Sequence, residues 1–200
     1  MQRRLREYFH QTKHLQDSIN HKLLLEKMSP QLAGEVALKC NERWLARVWF
    51  LKSACREFVV QLALLLEPVV FSIGEVVANG NLFIIFRGLA LYGGRVLTAG
   101  SVWGEDMILH SEWLKNPFCA RAMTYLEVYR LNRTQLAEAA QEFPEMADHL
   151  RRCAIRLAVR RHFIFTAKAM QRRRRWTRVT ATRRWLNGQL ADRRSRVRPA

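Results

Sequence analysis

Residues 68–104 read PVVFSIGEVVANGNLFIIFRGLALYGGRVLTAGSVWG, and this stretch decides the fold. Short β-branched and aromatic runs alternate with glycine at 74, 80, 88, 93, 94, 100 and 104. Val, Ile and Phe suit the pleated, half-buried surface of a strand. Glycine supplies the positive φ that tight turns demand. The pattern predicts strands at Val69–Ser72, Glu75–Ala78, Leu82–Arg87, Arg95–Thr98 and Val102–Trp103. Ala120–Thr124 and Leu126–Leu131 add two more. Many short strands with glycine turns predict a small antiparallel barrel or jelly roll.

Helical periodicity flanks this region on both sides. Ser29-Pro30 has the form of a helix start, with Ser as cap and Pro at the first helical position. Leu32, Val36, Ala37, Cys40, Trp44, Leu45 and Val48 then predict a long amphipathic helix. A second helix is expected over Ala54–Leu66, stopped by Glu67-Pro68. Before them, Met1–Lys27 predicts two short helices with a break near Gln16–Asn20. After the strands, Asn132 or Thr134 caps a helix over Thr134–Phe143. Pro144 opens another, from Glu145 to about Met170, with Met146, Leu150, Cys153, Ile155, Leu157 and Phe163 as apolar contacts. The fold class is α+β.

Composition narrows the function. The 200 residues are 49% hydrophobic, which supports a core and excludes wholesale disorder. The formal charge of +17 is unevenly placed. Residues 151–200 hold sixteen Arg and one Lys against the single acid Asp192. The first 150 residues are near neutral, so the body carries little charge and the tail is arginine-rich. No run reaches the roughly 18–20 apolar residues of a membrane-spanning helix. Met1–Arg6 is charged and lacks a signal-peptide core, so the chain reads as an intracellular soluble protein or a soluble piece of something larger. Cys40, Cys55, Cys119 and Cys153 form no close pairs, which speaks against zinc or a disulfide framework. His10 and His14 share a helical spacing but have no third ligand near. There is no phosphate-binding Walker loop, GxSxG or HExxH, and so no catalytic constellation.

Six segments, in order, resemble the cytosolic C-linker and cyclic-nucleotide-binding domain of voltage-gated cation channels of the hyperpolarisation-activated, cyclic-nucleotide-gated and ether-à-go-go types. Met1-Gln-Arg-Arg-Leu-Arg-Glu-Tyr-Phe resembles the first C-linker helix. Met28-Ser-Pro-Gln-Leu-Ala-Gly-Glu-Val-Ala resembles the helix beginning LSPPLRxEI. Val70-Phe71 with Ile73-Gly74-Glu75-Val76-Val77 resembles VFxPGDxI. Gly100-Ser101-Val102-Trp103-Gly104-Glu105 resembles GSxFGE, and Ala120-Arg121-Ala122-Met123-Thr124-Tyr125 resembles VRALTY. Arg133–Pro144 resembles SxxDFxxVLxxYP. The resemblance covers roughly residues 2–168. It implies a helical C-linker over 1–53, a β-roll with flanking helices over 54–170, and a tail over 171–200, disordered or partly helical.

A cyclic nucleotide needs backbone N–H groups and a cation for its phosphate, an acceptor for its 2′-hydroxyl and an apolar lid for its base. By resemblance, Gly104 and Glu105 match the hydroxyl-binding Gly-Glu, and the helix over Glu145–Met170 is the lid. Anchoring on Ala120-Arg121-Ala122 places the family's phosphate Arg at Asn116 and its Thr at Pro117. Lys115, one residue away, is the substitute cation, as a point charge without the bidentate guanidinium fork. Asp106 would repel a phosphate, and the segment Asn79–Asn81 is shorter than the family's. The candidate nucleotide-binding set is Gly104, Glu105, Asp106, Lys115, Asn116 and Cys119. Trp103 replaces the family Phe and reads as core rather than base stacker. Arg121 reads as a structural strand residue. No cofactor is required, and cAMP or cGMP is the candidate ligand of a degenerate pocket. The resemblance implies a non-enzymatic gating module of a tetrameric, potassium-type channel at the cytosolic face of a membrane, assembling through its C-linker as a homotetramer.

In the tail, Arg172, Arg173, Arg174 and Arg175 precede Trp176, and Arg183 and Arg184 precede a second tryptophan, Trp185. Such interleaving suits anionic lipid or, if helical, calmodulin. Nucleic acid would also follow from charge alone, but no helix-turn-helix core accompanies the tail. A stand-alone nucleotide sensor of the kinase-regulatory type is the other alternative. It should carry an inhibitor-like segment or a second domain, and neither is seen.

Overall fold

A computed structural model describes residues 20, 23–25 and 27–196, with side chains as far as Arg173. The helices expected over Met1–Lys27 lie almost wholly outside the described residues, as do His10 and His14. Two compact units divide the chain, Met1–Leu157 and Ala158–Ala200.

In the first unit, α1 spans Pro30–Leu45 and α2 spans Arg56–Leu65, with a 3-10 turn at Trp49–Leu51 between them. Pro30 opens α1, but the Ser29 side chain makes no capping bond. Its carbonyl accepts from Ala33 N at 2.9 Å, so the backbone, not the hydroxyl, starts the helix. The buried stripe of α1 is Ala33, Ala37, Leu38, Trp44 and Leu45. Leu32 and Cys40, expected on that stripe, are exposed. Small residues take their place because α2 crosses closely: a Cβ on the buried Gly34 would lie 2.9 Å from Val60 Cγ1.

Eight strands follow: β1 (Glu67–Phe71), β2 (Val76–Val77), β3 (Leu82–Arg87), β4 (Ala90–Tyr92), β5 (Arg95–Leu97), β6 (Val102–Trp103), β7 (Ala120–Ala122) and β8 (Leu126–Leu131). They form two four-stranded antiparallel sheets, in the orders β1-β8-β3-β6 and β2-β7-β4-β5. The arrangement is compatible with a β-roll. Strand β4 was not among the predicted strands. It forms because Gly93 and Gly94, both at positive φ, turn it directly into β5, with Tyr92 opposite Arg95.

The helices after β8 are α3 (Arg133–Gln141) and α4 (Pro144–Arg196). Asn132 caps α3: its Oδ1 accepts from Thr134 N at 3.1 Å, and Gln135 Oε1 accepts from Asn132 N at 3.2 Å. Helix α4 does not stop near Met170, as its apolar pattern suggested, but runs on to Arg196. Arginine is a good helix former, and no Gly or Pro interrupts residues 145–187.

Two hydrophobic clusters share β3. Leu82 and Ile84 pack with α1, α2, α3 and the start of α4, around Leu45, Phe50, Phe58, Leu62, Leu136 and Cys153. Phe83 and Ile85 point to the opposite face and pack between the sheets with Val77, Ala90, Trp103, Ala120 and Val128. This is the period-two alternation of a strand buried on both faces.

Candidate functional site

The segment from Gly104 to Ala120 is where the sequence reading concentrates its ligand groups. Gly104 leaves β6 at φ +80° and precedes a 3-10 turn, Glu105–Ile108. Only glycine fits there, because a Cβ would overlap the carbonyl oxygen of Asn81. The turn satisfies itself: Met107 N donates to Gly104 O at 2.9 Å, and Leu109 N to Asp106 O at 3.0 Å. Met107 and Leu109 anchor it in the core.

The structure brings Asp106 and Asn116 together. Asp106 is 8% exposed, and one of its carboxylate oxygens accepts from Asn116 N at 2.6 Å. A charged acceptor and a backbone donor make a strong bond in a partly buried setting. Asn116 is held further: its Oδ1 accepts from Phe118 N at 3.3 Å, and its carbonyl from Asn79 Nδ2 at 3.5 Å. Lys115, read as the substitute cation, pairs with Glu112 three residues back, across the 3-10 turn Glu112–Leu114. Glu105 is half-buried and has partners of its own. Cys119 and Pro117 are exposed. Trp103 is a core residue, 3% exposed and stacked on Phe83 with ring centroids 4.9 Å apart. Arg121 lies on β7 opposite Val76 and Leu91.

Cavities in other parts of the described residues are lined by none of these side chains. One of about 690 Å³ lies where α1 ends and α2 begins, beside Lys39, Glu42, Lys52 and Arg56. An apolar one of about 200 Å³ lies between the two helices and reaches Tyr129. Burial pushes the Tyr129 hydroxyl pKa up, and the nearby Cys40 and Glu127 push it the same way.

Sequence reasoning missed a polar cluster on α4. His149 Nε2 lies 3.1 Å from Phe50 O, 3.3 Å from Ser53 Oγ and 3.4 Å from Cys153 Sγ. The carbonyl cannot donate, so the network assigns the proton to Nε2. That nitrogen is then no base for Ser53, and the cluster reads as a clasp between α4 and the 49–54 turn. Burial raises the Cys153 thiol pKa, against a nucleophilic role. The spacing of His149 and Cys153, four apart, was the available signal.

Of the tail candidates, Arg172 and Arg173 are exposed on α4. Arg174, Arg175, Trp176, Arg183 and Arg184 lie on its helical backbone, with side chains outside the described residues. Among the described residues no group of three metal-ligating side chains occurs, and no helix is long and apolar enough to cross a membrane.

No protein-family model matches the chain. Among curated proteins it is similar to the voltage-gated inwardly rectifying potassium channel KCNH2 of Oryctolagus cuniculus, 23% identical over 159 residues. That match covers 74% of this chain and 14% of the channel. It is also similar to the cyclic nucleotide-gated channel alpha-2 of Bos taurus, 27% identical over 146 residues, which covers 64% of this chain and 22% of that protein. The cyclic nucleotide-gated channel alpha-3 of Homo sapiens is 27% identical over 144 residues, covering 64% of this chain and 21% of its own length. The chain therefore spans a minor part of the ion channels it matches.

Proposed function

We propose that this chain is a cytosolic regulatory module of a tetrameric, potassium-type voltage-gated cation channel, with a degenerate cyclic-nucleotide pocket. The similarity to channel proteins and an α+β body with two antiparallel sheets support the module. One observation carries the degenerate pocket: where a phosphate would sit, the chain closes on itself. The Asp106 carboxylate, already an anion, takes the Asn116 amide at 2.6 Å. Lys115, read as the substitute cation, pairs with Glu112.

In this reading residues 1–53 are the linker that joins four copies beneath a pore. Residues 54–170 are the roll with its flanking helices, and residues 171–200 the basic tail. A ligand or partner biases such a ring only through different affinity for its two states. The His149 clasp ties α4 to the 49–54 turn, so a shift of α4 is felt where linker meets roll. Losing a charge-assisted phosphate contact costs about 1.5–3 kcal/mol, or roughly tenfold to a hundredfold in affinity.

Calorimetric titration of the full chain with cAMP and cGMP, with Glu105→Ala as control, tests the pocket. No heat of binding is expected at millimolar nucleotide from folded protein. Micromolar binding that Glu105→Ala abolishes would overturn the degenerate pocket and make Lys115 the working cation. The channel itself is tested separately: a longer transcript should encode six apolar spans upstream, and one without them would defeat it.

A further inference from the structure

Helix α4 presents two different faces over residues 158–173. Val159, Phe163 and Met170 fall within about 40° of arc on the helix surface. They are 50%, 70% and 59% exposed. Arg160, Arg161, Lys168 and Arg172 lie on the other side, within about 120° of arc that also holds Ile164, 40% exposed. Arg173 ends the apolar stripe. No acid occurs from Arg151 to Ala191. Large apolar side chains left in water opposite a cationic face form a basic amphipathic helix.

We propose that this segment binds an anionic lipid bilayer, lying in the plane of the headgroups with Val159, Phe163 and Met170 inserted. Charge selects the occupant's sign. A second copy of the same helix would bring arginine against arginine. Length selects the bilayer over an acidic protein groove. The helix continues from Ala158 to Arg196, roughly 58 Å at 1.5 Å per residue. A small domain is about 30 Å across, about half the length of this helix, whereas a bilayer surface runs beneath its whole length. The inference does not rest on the channel reading, since an interfacial helix requires neither a pore nor a nucleotide pocket.

Sedimentation of the full chain with vesicles tests it. One vesicle is phosphatidylcholine alone, the other equal parts phosphatidylcholine and phosphatidylserine. Binding to the mixed vesicle is expected, at least about tenfold stronger than to phosphatidylcholine. The double variant Val159→Ser with Phe163→Ser should lower that partition at least about tenfold, with melting unchanged because both residues are exposed. Arg160→Gln with Lys168→Gln should weaken binding and flatten its salt dependence. Unchanged binding by the serine variant would leave charge alone at work and overturn insertion. Equal binding to both vesicles, or no sedimentation, would also overturn the proposal. Capture by calcium-loaded calmodulin without vesicle binding would assign the face to a protein partner instead.

Discussion

At Gly104 a side chain is forbidden twice, by φ +80° and by the Asn81 carbonyl against which a Cβ would collide. Gly100 has a similar φ, +81°, but only the Arg47 side chain nearby, at 3.8 Å. The pair separates the two costs. Gly100→Ala should lose about 1 kcal/mol in urea unfolding, the cost of the left-handed backbone alone. Gly104→Ala should lose at least about 3 kcal/mol or fail to fold. Gly104 was legible in the sequence as one of the turn glycines that punctuate the strands. The clasp of Asp106 on Asn116 was not. Ten residues separate the partners, and nothing in either residue type names the other.

At the scale of elements, α3 shows how much a local motif can decide. Asn132 accepts from the Thr134 amide and Gln135 from the Asn132 amide, and only four residues of sequence are needed to see it. Asn132→Ala should cost about 1 kcal/mol by thermal or urea unfolding, and Asn132→Asp should cost much less. The longer strands were equally readable: β3 opens on four buried apolar residues, Leu82–Ile85, and β8 carries buried Leu126, Val128 and Leu131. Strand β4 escaped because three residues are too few for a period, and Ala90 has no strand preference of its own. What holds it is tertiary: β5 on one side and β7 on the other. The course of α4 beyond Met170 escaped for the opposite reason. Apolar periodicity fades there, but helical propensity does not.

For the whole molecule, Tyr129 links the body's stability to alkaline pH. Its raised pKa means the folded state holds the proton longer than the unfolded chain, whose tyrosine titrates near 10.0. Its contribution is constant below that value and is lost as pH rises through the higher folded one. Urea midpoints should therefore fall as pH rises above about 10, and Tyr129→Phe should remove part of that fall. Strand β3 sets a further condition on the body. Leu82 and Ile84 serve one cluster, and Phe83 and Ile85 serve the other. Losing a single codon within those four would hand each interior the other's side chains and fill both with the wrong shapes. The gene can accept substitutions there one face at a time, but it cannot accept a change of length.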